Sequence, residues 1–156
     1  MIDPNWTRWI VLSLAKHFKT KTDPISFFVE GENQKTADKQ DYIEFRMNGP
    51  NIRNVNGFYK FDLVVNILIV CKQTTTSILP IHNHVGIVAA AFTKFIPLYR
   101  LGPDTAGVDD ASFWNCLLIH EREKKEVDIS HIGQINPDLP EMQAMVQGFY
   151  HMLLEI

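Results

Sequence analysis

The chain has 156 residues, 46% of them hydrophobic and 21% charged, with a formal net charge of −3, the make-up of one ordinary globular domain. A chain of this length buries roughly 68–70% of its unfolded surface and needs no metal or disulfide to fold. The composition excludes a disordered chain, its apolar runs stop short of the roughly 18 residues a membrane helix needs, and its slightly acidic balance lacks the basic face of a phosphate-binding protein.

Asp3-Pro4 is a helix-start signal, because Asp accepts from free backbone N–H groups and Pro suits the first helical position. The helix is predicted over Pro4–Phe18. At about 100° per residue, Val11, Leu14 and Phe18 form one stripe, with Thr7 on the same line. Trp9 lies roughly opposite, with Leu12 nearby. Two readings follow: a helix buried on two sides within its own domain, or a subunit contact, where aromatic residues are enriched. The segment before Trp6 has no basic region leading into an apolar stretch, so no secretory signal is expected.

Ile25–Glu30 reads as a strand, Gly31–Gln40 as a polar loop, and Tyr42–Met47 as a strand with Ile43, Phe45 and Met47 facing inward. Asn48-Gly49-Pro50-Asn51 and Asn54-Val55-Asn56-Gly57 supply turn chemistry. From Gly57 to Lys72 every odd position is apolar (Tyr59, Phe61, Leu63, Val65, Ile67, Ile69 and Cys71 after the glycine), while the even ones mix Lys60, Asp62 and Asn66 with Phe58, Val64, Leu68 and Val70. This is a period of two held for about 14 residues, or roughly 45 Å. Such a strand must curve, carry a bulge or project beyond the body. A second helix is predicted from Leu79 to about Phe95, with Ile81, Val85, Val88, Ala89, Phe92 and Phe95 as its core stripe and Pro97 ending it.

Arg100–Asp110 is a long acidic Gly/Pro loop. Phe113–His120 reads as a strand, Glu121–Glu126 as a charged hairpin tip and Val127–His131 as the return strand. Met142–Ile156 fits a strand with Ala144, Val146, Tyr150, Met152 and Leu154 on one face. It also fits a helix with Gln143, Gln147, His151 and Glu155 in a polar stripe; the strand is favoured.

No phosphate-cradling glycine motif, nucleophile elbow or paired-cysteine zinc spacing is present. Gly102 and Gly107 have the P-loop spacing, but Val108 follows where Lys is required. His82 and His84 lie near the start of the second helix, where residues two apart point about 200° from each other and do not share an ion. His120 and His131 are placed for a polar cross-strand pair. Asp104, Asp109 and Asp110 have oxygen ligands for a cation, but read more simply as solvated loop residues. Cys71 and Cys116 sit in apolar runs, as buried thiols of a protein folded in a reducing cytosol. No cofactor and no catalytic residue is expected.

The element order resembles that of the tail terminator proteins of long-tailed bacteriophages. The resemblance rests on Phe28-Val29-Glu30-Gly31-Glu32, on Tyr42 through Pro50, on Asn83-His84-Val85-Gly86 through Phe95–Gly102, and on Gly133-Gln134-Ile135 through Val146–Tyr150. It implies an α+β fold, a central and mostly antiparallel sheet with two main helices packed on it, in a single domain. It further implies a structural virion protein, not an enzyme, that forms a ring, most simply a hexamer, on the head-proximal end of the tail tube. The ring would stop tube polymerisation and join the tail to the head connector. The implied partners are copies of itself, the tail-tube protein and the head–tail connector protein; no membrane is involved. DNA would only pass through the lumen, where a net −3 avoids holding phosphates. Trp9, Leu12, Asn51, Arg53, Asp109 and Asp110 are the interface candidates. A head-completion or neck adaptor and a tail-tube subunit share this build. A small metal-dependent hydrolase using His82, His84 and the acidic loop is the distant alternative.

Overall fold

The computed structural model describes residues 4–31, 41–72, 79–100, 112–120, 127–133 and 141–155. In chain order these form α1 (Trp6–Thr22), β1 (Ser26–Val29), β2 (Tyr42–Val55), β3 (Phe58–Lys72), α2 (Leu79–Ala91), β4 (Phe95–Arg100), β5 (Ser112–His120), β6 (Asp128–Gly133) and β7 (Glu141–Glu155). The strands make one sheet in the order β1-β2-β3-β7-β5-β4, with β6 also paired to β7. Only β1 and β2 run parallel; the other pairings are antiparallel. The architecture is α+β, with two helices on a mostly antiparallel sheet.

β3 is the axis of the fold, and its period of two is the reason. Phe61, Leu63, Val65, Ile67, Ile69 and Cys71 are all buried on one face. Against them pack Trp6, Ile10, Leu14 and Phe18 of α1, and Ile81, Val85 and Val88 of α2. Full burial of each such side chain contributes about 1.5–3 kcal/mol. β7 lies along β3 for its whole length, Phe58 opposite Glu155 and Lys72 opposite Glu141. The C-terminal segment is therefore a strand: Ala144, Val146, Tyr150 and Met152 are buried on the helix side, and Leu154 packs partly against the same core. Gly148 falls within the ladder opposite Val65.

Several sequence expectations are corrected. The buried stripe of α1 is Trp6, Ile10, Leu14, Phe18 and Thr22, at every fourth residue, while Thr7 is exposed and Val11 half-buried. The helix starts at Trp6, where Asn5 occupies the N-cap position without a side-chain cap bond, and it runs past Phe18. Thr22 Oγ1 donates to Phe18 O at 2.7 Å, and Lys19 and Lys21 stand in the last turn, where cations suit the helix dipole.

Asn48-Gly49-Pro50-Asn51 does not end the second strand. It makes a bulge, with register lost between Asn48 and Asn51 and pairing resumed to Val55. The Gly49–Pro50 peptide bond is cis, and Gly49 has φ +99°. A bulge absorbs turn residues without ending the ladder. The real reversal is Asn56-Gly57, with φ 49° and 83°, the left-handed pair of a two-residue hairpin.

α2 ends at Ala91, and Phe95 and Pro97 belong to β4. Phe95 is 44% exposed rather than in the core. Pro97 is tolerated because β4 is the edge of the sheet and its register shifts between Pro97 and Leu98. Apolar spacing carried the helix reading across this boundary, since Phe92 is buried and Ile96 and Leu98 follow it into the core.

β5 and β6 are not a hairpin pair. Both run antiparallel to β7, and so in one direction along one edge of it. His120 lies opposite Tyr150 and Asp128 opposite Gln147. β6 thus takes up the edge of β7 close to where β5 leaves it. His131 registers with Ala144, so His120 and His131 do not face each other. The expected tip at residues 121–126, most of the polar loop at residues 31–40 and the acidic loop at residues 101–110 lie outside the described residues.

Candidate functional site

The helices cover one face of β2, β3 and β7, and the alternation of the strands sends the other residues to the opposite face. Cross-strand register places Val55 beside Phe58, Arg53 beside Lys60 and Leu153, and Asn51 beside Asp62 and His151. Three apolar side chains of this outer face are exposed at the hairpin end: Val55 at 40%, Phe58 at 41% and Leu153 at 56%. They sit on adjacent strands within two positions of one another, so they form one patch. Towards the sheet centre a polar row of Asn51, Asp62 and His151 separates this patch from Val64, Phe149, Leu68 and Met145, all half-buried.

A polar groove borders the patch. Arg53 donates to Asp62 Oδ2 at 2.8 Å, and Lys60 Nζ lies 3.7 Å from Asp62 Oδ1. With Asn48, Asn51 and Phe149 these residues line an open cavity of about 350 Å³. Both cations share one carboxylate, so the groove carries a net positive charge on a chain that is negative overall. The pairs are exposed and screened and contribute little to stability; their consequence is a local charge beside an apolar patch. The bulge at Gly49 helps shape this groove, since a Cβ there would lie 2.9 Å from Asp62 O.

Of the interface candidates, Asn51 and Arg53 are brought together here and are exposed. Trp9 and Leu12 lie on α1, on the other side of the sheet, and are half-buried. Trp9 packs partly against the core, which leaves part of its surface available for a contact. Asp109 and Asp110 lie outside the described residues. Phe58 and Leu153 were not singled out from sequence. The mixed even positions of the long strand were the available signal for Phe58, and the alternation of the C-terminal strand was the signal for Leu153.

A second constellation also escaped the sequence reading. Asp41 precedes β2, Cys71 lies near the end of β3 and His84 lies in α2. His84 Nε2 and Asp41 Oδ2 are 2.7 Å apart. Cys71 Sγ donates to the same oxygen at 3.4 Å, and Lys72 N–H donates to Asp41 Oδ1 at 2.7 Å. Burial of Asp41 favours its neutral acid, but the bonds from His84, Lys72 and Cys71 outweigh it and hold the carboxyl below its ordinary range. Burial, then the neighbouring carboxylate, pushes the Cys71 thiol up to about 11. Asp41 sits between thiol and imidazole, so the thiol faces a carboxylate whose charge disfavours the thiolate, rather than the imidazole or cation that activates a nucleophilic cysteine. His82 is exposed on the same helix, turned away from His84.

No helix among the described residues is long and apolar enough to cross a membrane. No protein-family model matches the chain, and no curated protein matches it at a significant level.

Proposed function

We propose that the chain is a ring-forming structural subunit of the tail-terminator type. It caps the head-proximal end of a phage tail tube, stops tube growth and presents a joining face to the head connector. The observation that supports this reading best is the outer patch of Val55, Phe58 and Leu153 at the end of the long hairpin. Closed cyclic assemblies need two different complementary patches per subunit. The outer patch with its cationic groove, and the Trp9–Leu12 face of α1 beyond the opposite side of the sheet, supply such a pair.

Light scattering and negative-stain images, at high concentration and with tube protein present, test the reading. A ring, most simply a hexamer, is the expected result in at least one setting. A strict monomer in both would overturn it.

A further inference from the structure

We propose that Asp41, Cys71 and His84 form a binding site for a divalent transition-metal ion of the zinc(II) class, a site that does not depend on the ring reading. Their ligand atoms all lie within 4.8 Å of one another. Around a tetrahedral zinc ion, bonds of about 2.0–2.3 Å place neighbouring donor atoms roughly 3.2–3.7 Å apart. The 3.4 Å between Cys71 Sγ and Asp41 Oδ2 already matches. To admit the ion, the imidazole, 2.7 Å from the same oxygen, must move off it by roughly 0.5 Å, and imidazole and thiol, within 4.8 Å of each other, must come to about 3.5 Å.

The carboxylate is already oriented. Lys72 N–H holds Asp41 Oδ1, which leaves Oδ2 directed at the other two donors. Outer bonds of this kind fix ligating carboxylates in metal sites. The donor set selects the class of ion. Magnesium and calcium take oxygen ligands, whereas thiolate, imidazole and carboxylate together suit zinc(II) and cobalt(II). One thiolate and one carboxylate also cancel the two charges of the ion, so the half-buried site becomes neutral on binding.

Binding displaces two protons from their present places. The Cys71 S–H proton goes to solvent as the sulfur–metal bond forms. The imidazole proton moves from Nε2 to Nδ1, freeing Nε2 to ligate. Nδ1 is buried without a hydrogen-bond partner among the described residues. Among the described residues the site has no acceptor behind its histidine, a feature worth about 10–100-fold in affinity where present. Three protein ligands leave a fourth position for water, and His84 and Asp41 are 19% and 31% exposed, so the ion has a way in.

Cobalt(II) titration of the chelator-stripped full chain tests the site. The expected result is one ion per chain, tetrahedral bands in the visible and a sulfur-to-cobalt charge-transfer band in the near ultraviolet, all abolished by zinc(II). Cys71→Ser and His84→Gln should lose the charge-transfer band or bind at least about tenfold more weakly. Cys116→Ser and His82→Gln should keep it. A wild-type chain without the band, or a Cys71→Ser chain that retains it, overturns the site. Circular dichroism checks that the variants fold. Independently of any variant, zinc(II) should slow alkylation of Cys71 in the wild-type chain, read by peptide mass spectrometry, and equal alkylation with and without zinc(II) overturns the proposal.

Discussion

Trp6 stands edge-on to Phe61, with ring centroids 5.1 Å apart and planes crossed at 73°. Tyr59 meets the same indole at 5.3 Å and 66°. Edge-to-face pairs add about 0.5–1.5 kcal/mol to the burial they accompany. The start of α1 is thereby pinned under the hairpin end of β3, on the face opposite the exposed patch. Trp6→Ala should cost about 3–5 kcal/mol, the range for emptying a large aromatic site. Ile67→Ala, at a fully buried position, should cost about 2–5 kcal/mol. Lys60→Ala on the outer face should stay within about 0.5 kcal/mol. Denaturant midpoints at constant slope check all three, and equal small losses would contradict the register of β3.

The core strands were legible because burial on one face writes alternation directly into sequence. β3 and β7 follow that pattern over 15 residues each. Alternation does not name a strand's partner, however, and so β6 was read as returning along β5 when it lies on β7. The stripe of α1 was displaced because Ser13 looks polar. It is buried, and its hydroxyl accepts from Tyr99 N–H at 2.9 Å, a bond to β4 that no local pattern reveals. The Asp41–Cys71–His84 group was illegible for a similar reason. Its members are 30 and 13 positions apart in the chain, and only the pairing of β2 with β3 and the return of α2 bring them together.

The bulge makes its own demand on sequence. Gly49 has φ +99°, a conformation that costs other residues about 1–3 kcal/mol, and an added Cβ would meet Asp62 O at 2.9 Å and Asn51 N at 3.1 Å. Both contacts are backbone and yield little. Gly49→Ala should therefore destabilise the chain by about 1–3 kcal/mol or more and loosen the groove around Arg53. Gly57→Ala has open space around its Cβ and should show the backbone cost alone. Thermal or denaturant unfolding of the two variants compares them, and a neutral Gly49→Ala would contradict the bulge geometry.

His17 links the helices through a bond between Nε2 and Ala91 O at 2.9 Å. Burial, with help from the Lys21 charge and against that bond, holds the imidazole below its ordinary value of 6.5. The folded state thus prefers neutral His17. Its contribution is fully present above about pH 6.5. As pH falls below that value the unfolded chain takes up the proton first, and stability is lost until pH passes the folded value. His17→Gln keeps an amide donor but does not titrate. Its stability should fall less than that of the wild type between about pH 7.5 and about pH 5.5, before the carboxylates enter. Parallel pH slopes for the two proteins in this window would show that His17 is not the group responsible.

The ring reading places a contact at the hairpin end, and the patch there can be charged without opening the core. Phe58 and Leu153 are about half exposed, at 41% and 56%, and point away from the helices. Phe58→Asp and Leu153→Asp should therefore leave circular dichroism unchanged while abolishing ring formation, because a buried unpaired carboxylate at a subunit contact costs several kcal/mol. The same patch should matter in assembly. Loss of the protein should leave heads and tails formed but unjoined, with tails of irregular or excess length, since nothing occupies the growing end of the tube. Resupplying Phe58→Asp should reproduce that outcome, and Asn83→Ala, at an exposed position of α2 outside both patches, should restore joined tails of normal length. Electron microscopy of lysates measures both length and joining. Full rescue by a folded Phe58→Asp variant would move the contact away from the hairpin, and normal, joined tails in the absence of the protein would remove the terminator reading itself.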